Sequence, residues 1–82
     1  MDATRNLILQ LAEARGPEGS ICPSEAARAM KDEWRPLMKG VRNAAVALAR
    51  EGRLQILRKG KKVTDLDDVR GVIRLRIAKP AP

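Results

Sequence analysis

Apolar residues recur every three or four positions through roughly the first fifty residues and every second position after that. The first regime predicts helices and the second predicts strands. In "MDATRNLILQLAEAR", Leu7, Ile8, Leu11 and Ala12 share one side of a helix, behind a candidate cap at Asp2 and ahead of the breaker "RGPEG". About three turns are expected, with Leu7 and Leu11 toward the core. "SIC" is long enough only for a stub of strand. Pro23 then suits the first position of a second helix, and Glu25 lies where a carboxylate complements exposed N–H groups. That helix is expected to reach Met30 and to bury Ala26, Ala27 and Met30, its small residues letting another helix come close.

In "KDEWRPLM", Pro36 fits either the first turn of a long third helix or a separate turn. The separate turn, over 33–38 with Gly40 marking the restart, is the expected arrangement. Trp34, the only aromatic residue, is expected to plug the junction between the second and third helices rather than to stack on a base. The third helix is predicted over 39–51, stopping at Gly52, a residue suited to the left-handed conformation that closes helices. Val41, Ala45 and Leu48 fall on its inner side, and Lys39, Arg42, Asn43, Val46 and Arg50 fall opposite.

Beyond Gly52, Leu54 and Ile56 share one face of a strand, Gln55 takes the other, and "KGK" makes a turn. "VIRLRI" alternates, with Ile73, Leu75 and Ile77 inward and Arg74 and Arg76 outward. The pattern predicts two antiparallel strands joined through "RKGKKVTDLDDVRG" and leaves open whether 62–64 adds to the pairing. Arg74 and Arg76 are expected to pair with Asp65, Asp67 or Asp68, each exposed pair contributing under about 1 kcal/mol. "AKPAP" reads as a disordered tail over 79–82, which leaves a single domain at 1–78. The expected fold class is α+β, a winged helix-turn-helix: three short helices leave one apolar side open and a small antiparallel β-hairpin closes it.

Composition narrows the function. A chain of 82 residues buries only about 60–65% of its unfolded surface, so the core has little to spare. There is no run of eighteen apolar residues and no small-residue cleavage site after the amphipathic N-terminus, so neither a membrane span nor a secretory signal is expected. Cys22 is the only cysteine; it fits a reducing, cytoplasmic setting and is expected to be a buried small apolar residue rather than a redox sensor. Histidine, tyrosine and phenylalanine are absent. A zinc site or a histidine-activated nucleophile therefore has too few groups to draw on. "TDLDD" at 64–68 reads as turn-forming, solvating aspartates rather than acid/base or metal chemistry. No enzyme, cofactor, metal or membrane partner is expected. The net charge of +7 is lopsided: residues 1–34 hold four basic and six acidic side chains, and residues 35–82 hold thirteen and four. A basic half of that kind points to a polyanion, nucleic acid first.

The combination "ICPSEAAR", "WRPLM", "VRNAAVALAREG", "ILRKGKKV" and "RGVIRLR" resembles a bacterial family of short proteins catalogued only as a domain of unknown function. The similarity covers 7–77. It implies a winged-helix fold and brings no activity, cofactor or partner. Family members commonly carry proline where Lys39 and Val72 stand, a departure that bears on the start of the third helix and on the last strand. More broadly the chain is similar to winged-helix repressors, in which an apolar triplet like Val41, Ala45 and Leu48 precedes the glycine closing the recognition helix. That likeness implies that Lys39, Arg42, Asn43 and Val46 face the major groove. The "WRPLM" segment is longer than usual for such proteins.

On this reading Arg42 pairs with guanine O6 and N7 and Asn43 with adenine N6 and N7. Arg50 extends the helix face, while Arg58, Lys59, Lys61 and Lys62 on the wing touch phosphate or the minor groove. The bland alternative is an ordinary wet helix face, with lysines that keep a hairpin edge from pairing with another chain. Val46 and Ala47 would equally suit a protein surface. Because the acids cluster in the first two helices, away from the basic elements, the expected function is a non-catalytic DNA-binding domain of the transcriptional-regulator type. It would use 39–51 as recognition helix and 58–62 as wing. The alternative is a protein-interaction module using the same face, with a homodimer through the first helix also open.

Overall fold

The computed structural model describes residues 2–78. The Asp2 side chain and residues 79–82, expected to cap the first helix and to form a disordered tail, lie outside the described part.

Helix α1 (Asp2–Arg15) is 14 residues long, about four turns rather than three. Ile8, Leu9 and Ala12 are its buried residues, whereas Leu7 and Leu11 are only half-buried. The helix is thus rotated from the expected facing. Its apolar arc is broad, and α1 must pack against α2, α3 and the sheet, which draws the 8/9/12 side inward. At its end Arg15 donates to the Ser20 carbonyl at 3.1 Å and to Glu25 Oε1 at 2.7 Å. Glu25 Oε2 in turn accepts the Cys22 N–H at 2.8 Å. One carboxylate therefore both caps the second helix and ties it to the first.

Helix α2 (Pro23–Met30) starts at Pro23 as expected and buries Pro23, Ala26 and Ala27. Met30 departs from expectation: it is 39% exposed, because the helix ends there and the backbone turns extended at Lys31. Cys22 also departs; it is half-buried at the helix cap, and its Sγ accepts from Ser24 Oγ at 3.2 Å. A 3-10 turn (Arg35–Leu37) then runs straight into α3 (Met38–Arg50). The separate turn is present, but Gly40 lies inside the first turn of α3 and marks no restart. Pro36 lacks an N–H, and the Leu37 N–H reaches the Trp34 carbonyl at 2.9 Å, so the tight turn grows into the helix without a break. Trp34 is half-buried and packs on the core at this junction.

Val41, Ala45 and Leu48 are the fully buried residues of α3. The helix closes with Gly52 at φ 78°: the Gly52 N–H bonds the Ala49 carbonyl and the Arg53 N–H bonds the Leu48 carbonyl, both at 3.0 Å. That is a Schellman closure, and it needs the left-handed backbone that glycine adopts without steric cost.

The sheet has three strands rather than two. β1 (Leu54–Arg58), β2 (Lys61–Lys62) and β3 (Arg74–Ile77) lie in the order β2-β1-β3, antiparallel throughout. The 62–64 question resolves toward pairing: Leu57 faces Lys62, and the Val63 N–H adds a bond to the Ile56 carbonyl at 2.7 Å. β1 pairs with β3 from Leu54–Ile77 to Leu57–Arg74. Ile21, the expected stub, bridges Leu75. Ile8, Ile21, Ala27, Val41, Leu48, Ile56 and Leu75 join the three helices and the sheet in one core. The result is α+β, compatible with the winged-helix arrangement. No described helix is long and apolar enough to cross a membrane.

The outward arginines of β3 do not meet the loop aspartates. Arg74 donates to Ser20 Oγ at 2.9 Å and to the Ser20 carbonyl at 2.8 Å, and Arg76 donates twice to Gln55 Oε1 at 2.9 and 2.6 Å. Gln55 sits directly opposite Arg76 in the register, so the cross-strand partner is nearer than any loop carboxylate.

Candidate nucleic-acid interface

The polar side of α3 divides into two strips. Arg42, Val46 and Ala49, spaced by four and three, form a half-buried flank, while Lys39, Asn43 and Arg50 are exposed. The flank is covered by the aspartate-rich segment that follows β2. Arg42 Nη1 donates to the Gly71 carbonyl at 3.1 Å, and Arg50 forms an ion pair with Asp67. Leu66 and Val69 pack onto the core together with Val46 and Ala49. Val46, expected among the outward residues, is therefore a packing residue.

Internal bonds shape this segment. Asp65 Oδ1 accepts the Asp67 N–H at 3.2 Å, its carbonyl accepts the Asp68 N–H at 3.1 Å, and Asp68 Oδ1 accepts from Arg70 Nε at 2.6 Å. The aspartates thus fold their own turn and reach Arg50 and Arg70, which is why none is left for Arg74 or Arg76.

The hairpin tip joins the same assembly. Arg58 Nη1 lies 3.4 Å from the Arg70 carbonyl, one residue before the carbonyl that Arg42 holds. An arginine from α3 and another from β1 thereby grip adjacent peptide groups, which places the hairpin arm beside the helix flank. At the tip, Lys59 (φ 52°) and Gly60 (φ 80°) make a two-residue turn with both residues left-handed, the signature of a type I′ hairpin. The open groove between hairpin and loop is about 800 Å³, lined by Arg58, Lys61, Lys62 and Arg70 with Asp65 and Asp68 as its acids.

Against this geometry the nine sequence-derived candidates sort into two groups. Arg42, Arg50 and Arg58 have internal partners, and Val46 is packed. Lys39, Asn43, Lys59, Lys61 and Lys62 are exposed, and among the described residues their side chains make no hydrogen bond or ion pair. The family described as "Protein of unknown function (DUF3253)" matches residues 1–78, a span that takes in all of these positions. The chain belongs to that family. No curated protein matches it.

Within this DUF3253 chain, sequence reasoning overlooked three cations. Arg70 lines the groove and takes Asp68 as partner. Arg28 and Arg35 lie over the Trp34 ring, at 4.6 and 4.9 Å from its centroid. Arg35 was detectable, since it follows the only aromatic residue directly. Arg28 was not, because its approach depends on how the DUF3253 chain turns between α2 and the 3-10 turn. The Arg50–Asp67 pair is solvent-exposed, at 53% and 83% of the two side chains, so it contributes little to stability and is easily exchanged for another anion.

Proposed function

We propose that this DUF3253 protein is a non-catalytic winged-helix protein that binds duplex DNA, with α3 as recognition helix and the 58–62 tip as wing. The observation that carries the reading is the set of unpartnered polar side chains on two neighbouring elements. Lys39 and Asn43 are exposed on α3; Lys59, Lys61 and Lys62 are exposed on the hairpin; Arg42 and Arg58 reach adjacent carbonyls, of Gly71 and Arg70, in the segment that joins them. A solvated surface has no need to hold two cationic elements in fixed register. A duplex does, because groove edge and backbone must be met at once.

The roles shift from those expected of the sequence alone. Asn43 is the side chain best placed for adenine N6 and N7, with Lys39 beside it. Arg42 commits one N–H to Gly71 and so positions the loop first; its remaining donors stay available. Lys59, Lys61 and Lys62 meet phosphates. A regulator gripping an operator tightly would act as two copies spaced by a helical turn.

Fluorescence anisotropy on a random 20-mer duplex across about 50 to 200 mM salt tests the reading, and a log–log slope of about −3 to −5 is expected. Changing Lys61 and Lys62 together to Ala should reduce that slope by about two. A parent protein silent at the lowest salt would refute DNA binding.

A protein partner on the same face is the second reading, favoured by Val72, which is 84% exposed at the rim of the groove. On that reading Val72→Asp abolishes partner capture and the lysine changes leave DNA behaviour untouched.

A further inference from the structure

The Trp34 ring carries two guanidiniums. Arg28, on the last turn of α2, and Arg35, on the 3-10 turn, lie 4.6 and 4.9 Å from its centroid. Both arginines are exposed, and among the described residues neither makes a hydrogen bond or an ion pair. Asp32 and Glu33 stand beside Trp34 in the chain, yet among the described residues neither forms an ion pair with either guanidinium. Two like charges are thus gathered on one ring, and among the described residues neither forms an ion pair.

The geometry leaves their chemistry intact. Stacking uses the flat face of a guanidinium and spares the in-plane N–H donors that fit a phosphate. It also orders a long side chain in advance, which lowers the entropic cost of binding. The location adds to this. Arg35–Leu37 runs directly into α3, whose first turn holds no acidic residue and whose cap makes no side-chain hydrogen bond. The positive end of α3 and the exposed Lys39 therefore lie next to the two arginines. None of residues 28–35 lines the groove at the hairpin, so this is a cationic cluster separate from that groove.

We propose that Arg28 and Arg35, laid on Trp34, form a second phosphate-binding site for duplex DNA at the N-terminal end of α3. This rests on the DNA-binding reading above and extends it. The hairpin holds the backbone on the flank of α3, and the arginine–tryptophan cluster holds it at the helix start. Lys39 and Asn43 are then fixed between two backbone contacts. The segment between α2 and α3, longer than usual for a winged helix, becomes part of the binding surface.

The test compares four proteins, the parent and three double variants, on the random 20-mer duplex over a salt series, with thermal melting of each as a folding control. Arg28→Ala combined with Arg35→Ala should reduce the log–log salt slope by about two and weaken binding by roughly tenfold to a hundredfold near 0.1 M salt. The double lysine variant of the same two positions keeps the charge and loses the stack; it should retain the slope and weaken binding only a few-fold. A double alanine variant that melts like the parent and binds with unchanged slope, while the Lys61/Lys62 change still lowers it, overturns this site and leaves the DNA reading standing. A parent protein that does not bind the duplex at low salt overturns both.

Discussion

Lys59 holds a left-handed backbone at φ 52°, in a turn position where Asn or Asp is the ordinary choice and a long side chain is strained. A lysine there is a poor choice for hairpin stability and a good one for placing charge at the tip, between Arg58 and Lys61. The two effects separate by substitution. Lys59→Asn should stabilise the fold by about 0.5 kcal/mol, raising the melting temperature by roughly 2–4 °C. The same change should reduce the salt slope of DNA binding by about one. Gain of both stability and affinity would mean that Lys59 contacts no phosphate. Gly60, with φ 80°, completes the turn and needs no such trade.

Among the elements, the segment from Val63 to Ile73 has the most consequence, because it decides which helix cations are free. It covers the Arg42/Val46 flank of α3 and takes Arg50 as an ion-pair partner. Asp67→Asn should change stability by less than about 1 kcal/mol, since the pair is exposed. It should also tighten duplex binding a few-fold by releasing Arg50 and removing a negative charge beside the helix, readable in the same anisotropy titration. Weaker binding after this change would place the loop, not Arg50, at the DNA. How much of this was legible in the sequence follows from the same physics. Val41, Ala45 and Leu48 were readable because helical spacing and a closing glycine leave one possible inner side, and all three are buried. The inner side of α1 is not legible, because apolar residues at 7, 8, 9, 11 and 12 cover too much of the helix circumference to choose a facing. β2 gave no signal, since two lysines carry no alternation. The partners of Arg74 and Arg76 depended on register and on the path of a loop, neither of which is written in spacing alone.

For the whole molecule, charge and shape agree. The radius of gyration is 11.6 Å, close to the value of about 12 Å that a single packed unit of this length adopts. Residues 1–34 are net acidic and residues 35–82 strongly basic, and the fold gathers α3 and the hairpin from the basic part into neighbouring positions. Arg5 of α1 pairs with Glu51 at the end of α3, and Arg15 pairs with Glu25, so these two carboxylates are used to hold helices together. Among the described residues, the charged side chains without a hydrogen bond or ion pair are largely cationic. Amide chemical-shift mapping with a random 20-mer duplex at low salt tests this directly. Shifts concentrated in 28–43 and 58–62, sparing the α1 amides and fading as salt rises, are the predicted result. Shifts scattered evenly over the molecule, or none at all, would contradict it.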